Sequence, residues 1–187
     1  MRLKNNFKII IIASIAIIII LSAYFIFFRS SGSDDLEKIK VKYSDLTEQV
    51  DNVVKWQKKL AEDANRVETY ATLGLAWKSL ADKAASLKIS MSAKYYREAL
   101  RTYESAIVLT KRSNSLFVVN AGNMAKELKD YALAEKYFKE AVILSPGDSS
   151  YYILLAELYE YRMGKTKEEI AGVYEDGIKK VIDSSIL

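Results

Sequence analysis

The chain has 187 residues, a formal net charge of +4, and neither cysteine nor histidine. Without cysteine there are no disulfides and no thiolate chemistry, and without histidine the commonest general base and metal ligand is missing. The surplus basic residues all lie within 1–33, so residues 34–187 are neutral overall and lack the net positive charge typical of nucleic-acid-binding domains.

Residues 9–28 are the most apolar stretch of the chain and contain no charged side chain. At about 1.5 Å per residue, a helix of this length spans roughly the 30 Å hydrocarbon core of a bilayer. The stretch is longer than the apolar core of a secretory signal peptide, and no clear small-residue cleavage site follows it. We therefore predict a single-pass transmembrane helix over 9–28, preceded by a short tail over 1–8.

The charges that flank this helix bear on its orientation. Basic residues lie on both sides, so a simple count of positive charges does not decide. The tail over 1–8 is basic without any acidic residue, whereas the opposite flank soon reaches Asp34, Asp35 and Glu37. These features favour a cytoplasmic N-terminus and a C-terminal domain outside the cytoplasm.

After a serine-rich linker over 29–35, an amphipathic juxtamembrane helix is predicted over 36–62. Its apolar positions follow the alternating spacings of three and four that form a heptad seam: Leu36, Ile39, Tyr43, Leu46, Val50, Val53, Gln57 and Leu60. Two interpretations stay open: a parallel coiled coil that dimerises the protein, or packing on the helices that follow. Val54 and Trp56 widen the apolar face and favour packing.

Residues 66–187 contain three segments with the same helical pattern of small and large side chains. Equivalent positions of the first helices are Tyr70, Leu73, Gly74 and Trp77; Val118, Ala121, Gly122 and Ala125; Tyr152, Leu155, Ala156 and Tyr159. Equivalent positions of the second helices are Ala99, Tyr103 and Ala106; Ala134, Phe138 and Ala141; Ile170, Tyr174 and Gly177. The pattern predicts three helical hairpins whose small residues permit close contact between helices.

This pattern resembles the tetratricopeptide repeat (TPR) family. Residues 115–148 match it best, with Gly122, Ala134, Phe138, Ala141 and Pro146 in place. Residues 67–113 carry about 13 extra residues around Lys83–Ser92, and residues 149–182 match more loosely. The resemblance implies an all-α fold, a right-handed stack of about three antiparallel helical hairpins with one helix before it.

In TPR-like stacks the first helix of each hairpin lines a concave groove, and the resemblance therefore implies a binding groove here. Carried over by position, its candidate residues are Leu75, Lys78, Asn120, Asn123, Lys126 and Glu157. Asn120 and Asn123 are the strongest candidates because an amide side chain both donates and accepts hydrogen bonds, although such residues are also common on solvated helices. Several groove positions are apolar or acidic, which argues against a clamp for a terminal carboxylate.

Two fragments suggest catalysis but lack its context. Gly164-Lys165-Thr166 has Tyr159 where a phosphate-binding loop requires glycine, and Ser90 with Lys94 has no accompanying oxyanion loop. We therefore expect no enzymatic activity, no cofactor and no metal site.

The features together predict a membrane-anchored scaffold or adaptor that binds a protein or peptide, in the assembly of a membrane or envelope complex. The anchor and repeats are similar to those of bacterial membrane-anchored TPR proteins, which implies the bacterial inner or cell membrane. The alternative is a structural protein that forms a homo-oligomer through the seam at 36–60.

Overall fold

The computed structural model describes residues 35–185. The predicted tail at 1–8, the transmembrane helix at 9–28 and almost all of the linker at 29–35 lie outside the described residues. Within 35–185, every regular element is helical, and none of these helices has both the length and the apolarity needed to cross a bilayer.

The chain divides into two compact units, residues 1–50 and residues 51–187. In the described part of the first unit, helix α1 covers 35–42 and a 3-10 turn covers Ser44–Leu46. The boundary between the units falls within helix α2, Thr47–Glu62.

Tyr43 interrupts the single helix that was expected over 36–62. Its φ of −134° and ψ of 82° are not helical. The residues that follow include Ser44 and Asp45, which favour helix starts over helix interiors because their side chains compete for backbone hydrogen bonds. The expectation of one helix over 36–62 is therefore wrong, and an unbroken heptad seam cannot run along 36–60, because such a seam requires a continuous helix.

The second unit contains the three predicted hairpins. The first pairs α3 with α4, the second α5 with α6, and the third α7 with α8, over Val67–Ser86, Ser92–Leu109, Ser115–Glu127, Tyr131–Leu144, Ser149–Leu158 and Lys167–Ser185. A π-helical segment, Tyr159–Met163, extends α7. From α3 to α8 each helix packs on the next along the chain, which confirms the prediction of helical hairpins in tandem.

In the first two hairpins a glycine on the first helix lies under an aromatic ring of the second. A Cβ added at Gly74 would lie 2.5 Å from the Tyr103 ring, and one added at Gly122 would lie 2.6 Å from the Phe138 ring. Both rings are fully buried. The absence of a side chain at these glycines therefore sets the separation of the two helices.

The third hairpin reverses this arrangement. Gly177 on α8 lies against Tyr152 on α7, where an added Cβ would lie 2.8 Å from the ring. Tyr174, which the repeat pattern aligns with Tyr103 and Phe138, is 39% exposed. The sequence alignment assigned Tyr152 and Gly177 to the correct helices but did not show that these two residues pack on each other.

The extra residues of the first hairpin lengthen its helices instead of forming a long loop. Helix α3 has 20 residues against 13 in α5, and α4 has 18 against 14 in α6. The extension has its own small core, in which Trp77 stacks on Tyr95 with ring centroids 6.0 Å apart and Ile89 is buried. Both helices of the first hairpin are therefore longer than their counterparts in the second.

Asparagine or aspartate caps the first turn of three helices. Asn114 accepts a hydrogen bond from the backbone N–H of Leu116, Asp130 from that of Leu133, and Asp148 from that of Ser150. Lysine or arginine residues occupy the left-handed region after three helices, a conformation that glycine adopts at lower cost: Lys88, Lys111, Arg112 and Lys129.

Replacing Lys129 with glycine is expected to stabilise the protein. Its φ is 62°, and the N–H of the following Asp130 bonds to the Ala125 carbonyl at 2.9 Å, so the turn would be kept. Since a residue with a Cβ costs roughly 1–2 kcal/mol in this conformation, we expect Lys129→Gly to raise the free energy of unfolding by about 1 kcal/mol. The control Lys136→Gly, within the exposed face of α6, should lower it by a similar amount. Urea unfolding of both variants measures this, and a loss of stability in Lys129→Gly would contradict it.

Candidate partner-binding face

Serine and tyrosine hydroxyls connect the second and third hairpins. Ser115, at the start of α5, lies 3.2 Å from the Tyr151 hydroxyl of α7, and Ser145 donates to Ser115 at 2.8 Å. The start of α5 is therefore directly beside the start of α7. This contact joins the first turns of the first helices of two hairpins.

Two tyrosines at equivalent positions stabilise the starts of their helices. Tyr70 of α3 donates its hydroxyl proton to the Ala64 carbonyl at 2.9 Å, and Tyr152 of α7 donates to the Pro146 carbonyl at 3.1 Å. Each bond joins a helix to the turn six residues before it. These tyrosines therefore set the direction in which each first helix enters the stack.

The remaining links between hairpins involve glutamates. Tyr137 of α6 donates to Glu104 of α4 at 2.8 Å, and Tyr159 donates to Glu135 at 2.7 Å. Burial and the hydrogen bond to Glu104 raise the pKa of Tyr137 well above its ordinary value, so its hydroxyl remains protonated and donating at neutral pH. Pattern reasoning did not find these pairs because the glutamates lie outside the repeat motif.

The six residues predicted for the groove lie on the first helices of the three hairpins. Leu75 and Lys78 are on α3, the middle three are on α5, and Glu157 is on α7; the α5 residues are Asn120, Asn123 and Lys126. Leu75 and Glu157 are exposed and the other four are partly exposed. We call this surface of α3, α5 and α7 the first-helix face.

The two asparagines of the first-helix face are one helical turn apart on α5. Neither side chain forms a hydrogen bond with any described residue, and both are only partly covered. An amide offers both donors and an acceptor, so the pair can hydrogen-bond to a peptide backbone. The structure therefore leaves the hydrogen-bonding capacity of the predicted site open to a partner.

Lys78 is already paired with a carboxylate one turn further along its own helix. Its ammonium donates to Asp82 at 2.6 Å, and the Tyr96 hydroxyl donates to the other oxygen of the same carboxylate at 2.7 Å. Burial, and then this carboxylate, raise the pKa of Tyr96. Asp82 follows Lys78 by four residues, as Asp130 follows Lys126, so the sequence shows this spacing but not the contact with Tyr96. The α3 end of the face is therefore locally neutral.

Each first helix also exposes one aliphatic side chain. Leu75 of α3 is 55% exposed, Leu116 of α5 is 54% exposed and Ile153 of α7 is 44% exposed. The predicted set of six omitted Leu116 and Ile153, although an apolar residue on an otherwise polar helix face is a recognisable signal. The first-helix face therefore combines open amides with exposed apolar groups.

Metal chemistry was considered separately. Over the part of the chain that the structure covers, no three Asp, Glu, Cys or His side chains are grouped so as to hold a metal ion.

The hairpins packed in order, with small residues under large rings, define a TPR-like helical-repeat fold. The solved structure titled "MamA MSR-1 C2" is similar to this chain, with a TM-score of 0.55 and 17% identity over 76% of this chain and 72% of that one. A second structure, "Crystal structure of MamA", has 19% identity over 79% of this chain and 95% of that one, with a TM-score of 0.44. No protein-family model and no curated protein matches the chain. At these identities the likeness shows the fold alone.

Proposed function

We propose that this protein is a membrane-anchored scaffold or adaptor that binds a protein or peptide on its first-helix face. The observation that carries the proposal is the pair of open amides, Asn120 and Asn123, in the middle helix of this face. Exposed aliphatic side chains accompany them on all three first helices. The proposed role is binding and assembly, without catalysis or a cofactor.

A bound peptide segment would cover the exposed aliphatic side chains and form hydrogen bonds with the two amides. Covering Leu75, Leu116 and Ile153 removes apolar surface from water, which favours binding by about 25 cal/mol per Å² before the costs of association. The amides can pair with backbone N–H and C=O groups of the segment. Stacked repeats supply such extended surfaces because each unit adds one helix to the same face.

The membrane part of the proposal is supported by the length and composition of residues 9–28. A tether makes a weak binding module effective because it raises the local concentration of the module near membrane-bound partners. We propose that the anchor lies in a bacterial inner or cell membrane, with the N-terminus inside and the repeats outside the cytoplasm.

Cysteine labelling in intact cells tests this topology, since the natural chain has no cysteine. We expect Glu175→Cys, at an exposed site on α8, to react with a membrane-impermeant maleimide, and Asn5→Cys, in the predicted tail, to react only after the cells are lysed. The reverse pattern would show the opposite orientation. Labelling of both sites without lysis would rule out a chain that crosses the membrane with its N-terminus inside.

Crosslinking in cells tests the binding face. The double variant Asn123→Ala with Leu75→Glu should reduce capture of the partner about tenfold or more, because it removes an open amide and places a charge in the apolar part of the face. The control Ile143→Glu makes an equivalent change at an exposed position of α6, outside the face, and should leave capture unchanged. Unchanged capture by a correctly folded double variant would refute the assignment of the face.

A further inference from the structure

The charge of the first-helix face changes from one end to the other. At equivalent positions stand Lys78 of α3, Lys126 of α5 and Glu160 of the π-helical segment that extends α7, and one turn earlier stand Leu75, Asn123 and Glu157. The ammonium of Lys78 is neutralised within its own helix by Asp82, at 2.6 Å. Negative charge is therefore concentrated at the α7 end.

The two carboxylates at that end are not neutralised within the chain. Glu157 and Glu160 are both exposed, and neither forms an ion pair with a described basic residue, although Tyr161 hydrogen-bonds to Glu160. They lie one turn apart on the same helix, so each raises the negative potential at the other. A cationic side chain placed between them would gain from both.

An exposed aliphatic side chain precedes these carboxylates on α7, and the two open amides lie on α5. Ile153 precedes Glu157 by one turn of α7 and is 44% exposed. Asn120 and Asn123 lie on α5, whose first residue, Ser115, contacts Tyr151 of α7 at 3.2 Å. An extended ligand that follows α7 toward this contact meets an apolar side chain and two carboxylates on α7 and its π-helical extension.

We propose that the partner is a linear peptide segment in which aliphatic side chains alternate with lysine or arginine, its basic residues seated against Glu157 and Glu160. The aliphatic side chains cover Ile153 and, toward the other end, Leu75. Charge complementarity supports this occupant, because an acidic segment would be repelled by the two carboxylates, and a neutral one would supply no cation where no described basic residue pairs with them. The inference rests on the proposed function and adds the chemistry of the ligand.

Three synthetic peptides test it, identical in length and leucine positions and carrying Lys, Gln or Glu at the variable positions. Binding to the full chain in a mild non-ionic detergent is measured by fluorescence anisotropy, with detergent alone as the blank. We expect the Lys peptide to bind about tenfold more tightly than the Gln peptide, and the Glu peptide to bind most weakly. The double variant Glu157→Gln with Glu160→Gln should abolish this preference, so that the Lys and Gln peptides bind with equal affinity.

A matched control is available on α8, where Glu168→Gln with Glu175→Gln removes two exposed carboxylates outside the face and should preserve the preference for lysine. If the Lys and Gln peptides bind equally to the natural chain, and Asn123→Ala with Leu75→Glu abolishes both interactions, the charge inference is wrong and the proposed function stands. If no peptide binds above the blank, both are wrong.

Discussion

Gly122→Ala is expected to lower the free energy of unfolding by about 2–3 kcal/mol, although it adds only one methyl group. The new Cβ would lie 2.6 Å from the Phe138 ring and 3.1 Å from the Cβ of Tyr137. The ring cannot swing into solvent, because Phe138 is 0% exposed, so α5 and α6 must separate or the ring must leave its preferred rotamer. Overpacking of this kind costs typically 1–3 kcal/mol.

Gly172→Ala is the matched control, since a Cβ added at this position of α8 meets nothing within 4 Å. There the intrinsic preference of alanine for helix dominates, and we expect a gain of about 0.5–1 kcal/mol. Urea unfolding at one temperature compares the two variants. A Gly122→Ala protein as stable as the natural one would show that α5 and α6 do not pack at this close separation.

Gly74→Ala should behave like Gly122→Ala, because its Cβ would lie 2.5 Å from the buried Tyr103 ring.

Tyr103→Phe is expected to stabilise the protein, most strongly in alkaline solution. The Tyr103 side chain is 1% exposed and its hydroxyl has no hydrogen-bond partner. Removing a buried, unsatisfied hydroxyl should add about 1 kcal/mol at neutral pH. The second hairpin already has phenylalanine, Phe138, at the equivalent position, so the ring alone fits this site.

The alkaline effect follows from the pKa of the same group. Burial raises the pKa of Tyr103 from 10.0 to about 12, so the folded protein holds this proton more tightly than the unfolded chain does. The resulting stability is fully present below about pH 10 and is lost as pH rises toward about 12, with a total of roughly 2–3 kcal/mol. Tyr103→Phe lacks this loss, so its advantage over the natural chain should grow across that interval.

Urea midpoints of Tyr103→Phe and the natural chain, at about pH 7 and about pH 11, measure both effects. Tyr174→Phe, in the part-exposed tyrosine that the repeat pattern aligns with Tyr103, serves as the control and should change stability by less than about 0.5 kcal/mol. An advantage of Tyr103→Phe that stays constant with pH would show that the hydroxyl ionises as easily in the folded protein as in the unfolded chain.

The helical hairpins were predictable because their signals are local. Helical spacing of small and large residues identifies faces that must pack, and Asp130 and Asp148 mark helix starts through bonds to residues two or three positions away. Gly74 and Gly122 were assigned correctly to close helix contacts. A glycine inside a helix costs stability, and close packing against a large side chain of the neighbouring helix is a common reason for it.

The candidate face was predictable only in part. Positional equivalence placed Asn120 and Asn123 at the surface of α5, but it could not show that Asp82, which neutralises Lys78, also accepts a hydrogen bond from Tyr96 of α4. Such a partner is found only when two helices are placed side by side, since Tyr96 lies 14 residues beyond Asp82.

The amino-acid pattern was enough to establish an all-helical chain of paired helices, because helix formation and close packing depend on residues three or four positions apart. The break at Tyr43, the reversed packing of Gly177 on Tyr152, and the concentration of unpaired charge at Glu157 and Glu160 required the folded structure. The packing of Gly177 and the lack of a described cation beside the two glutamates depend on which side chains meet across helices, and a periodic pattern leaves those pairings undetermined. The break at Tyr43 depends on one residue leaving helical backbone angles, which the apolar spacing does not reveal.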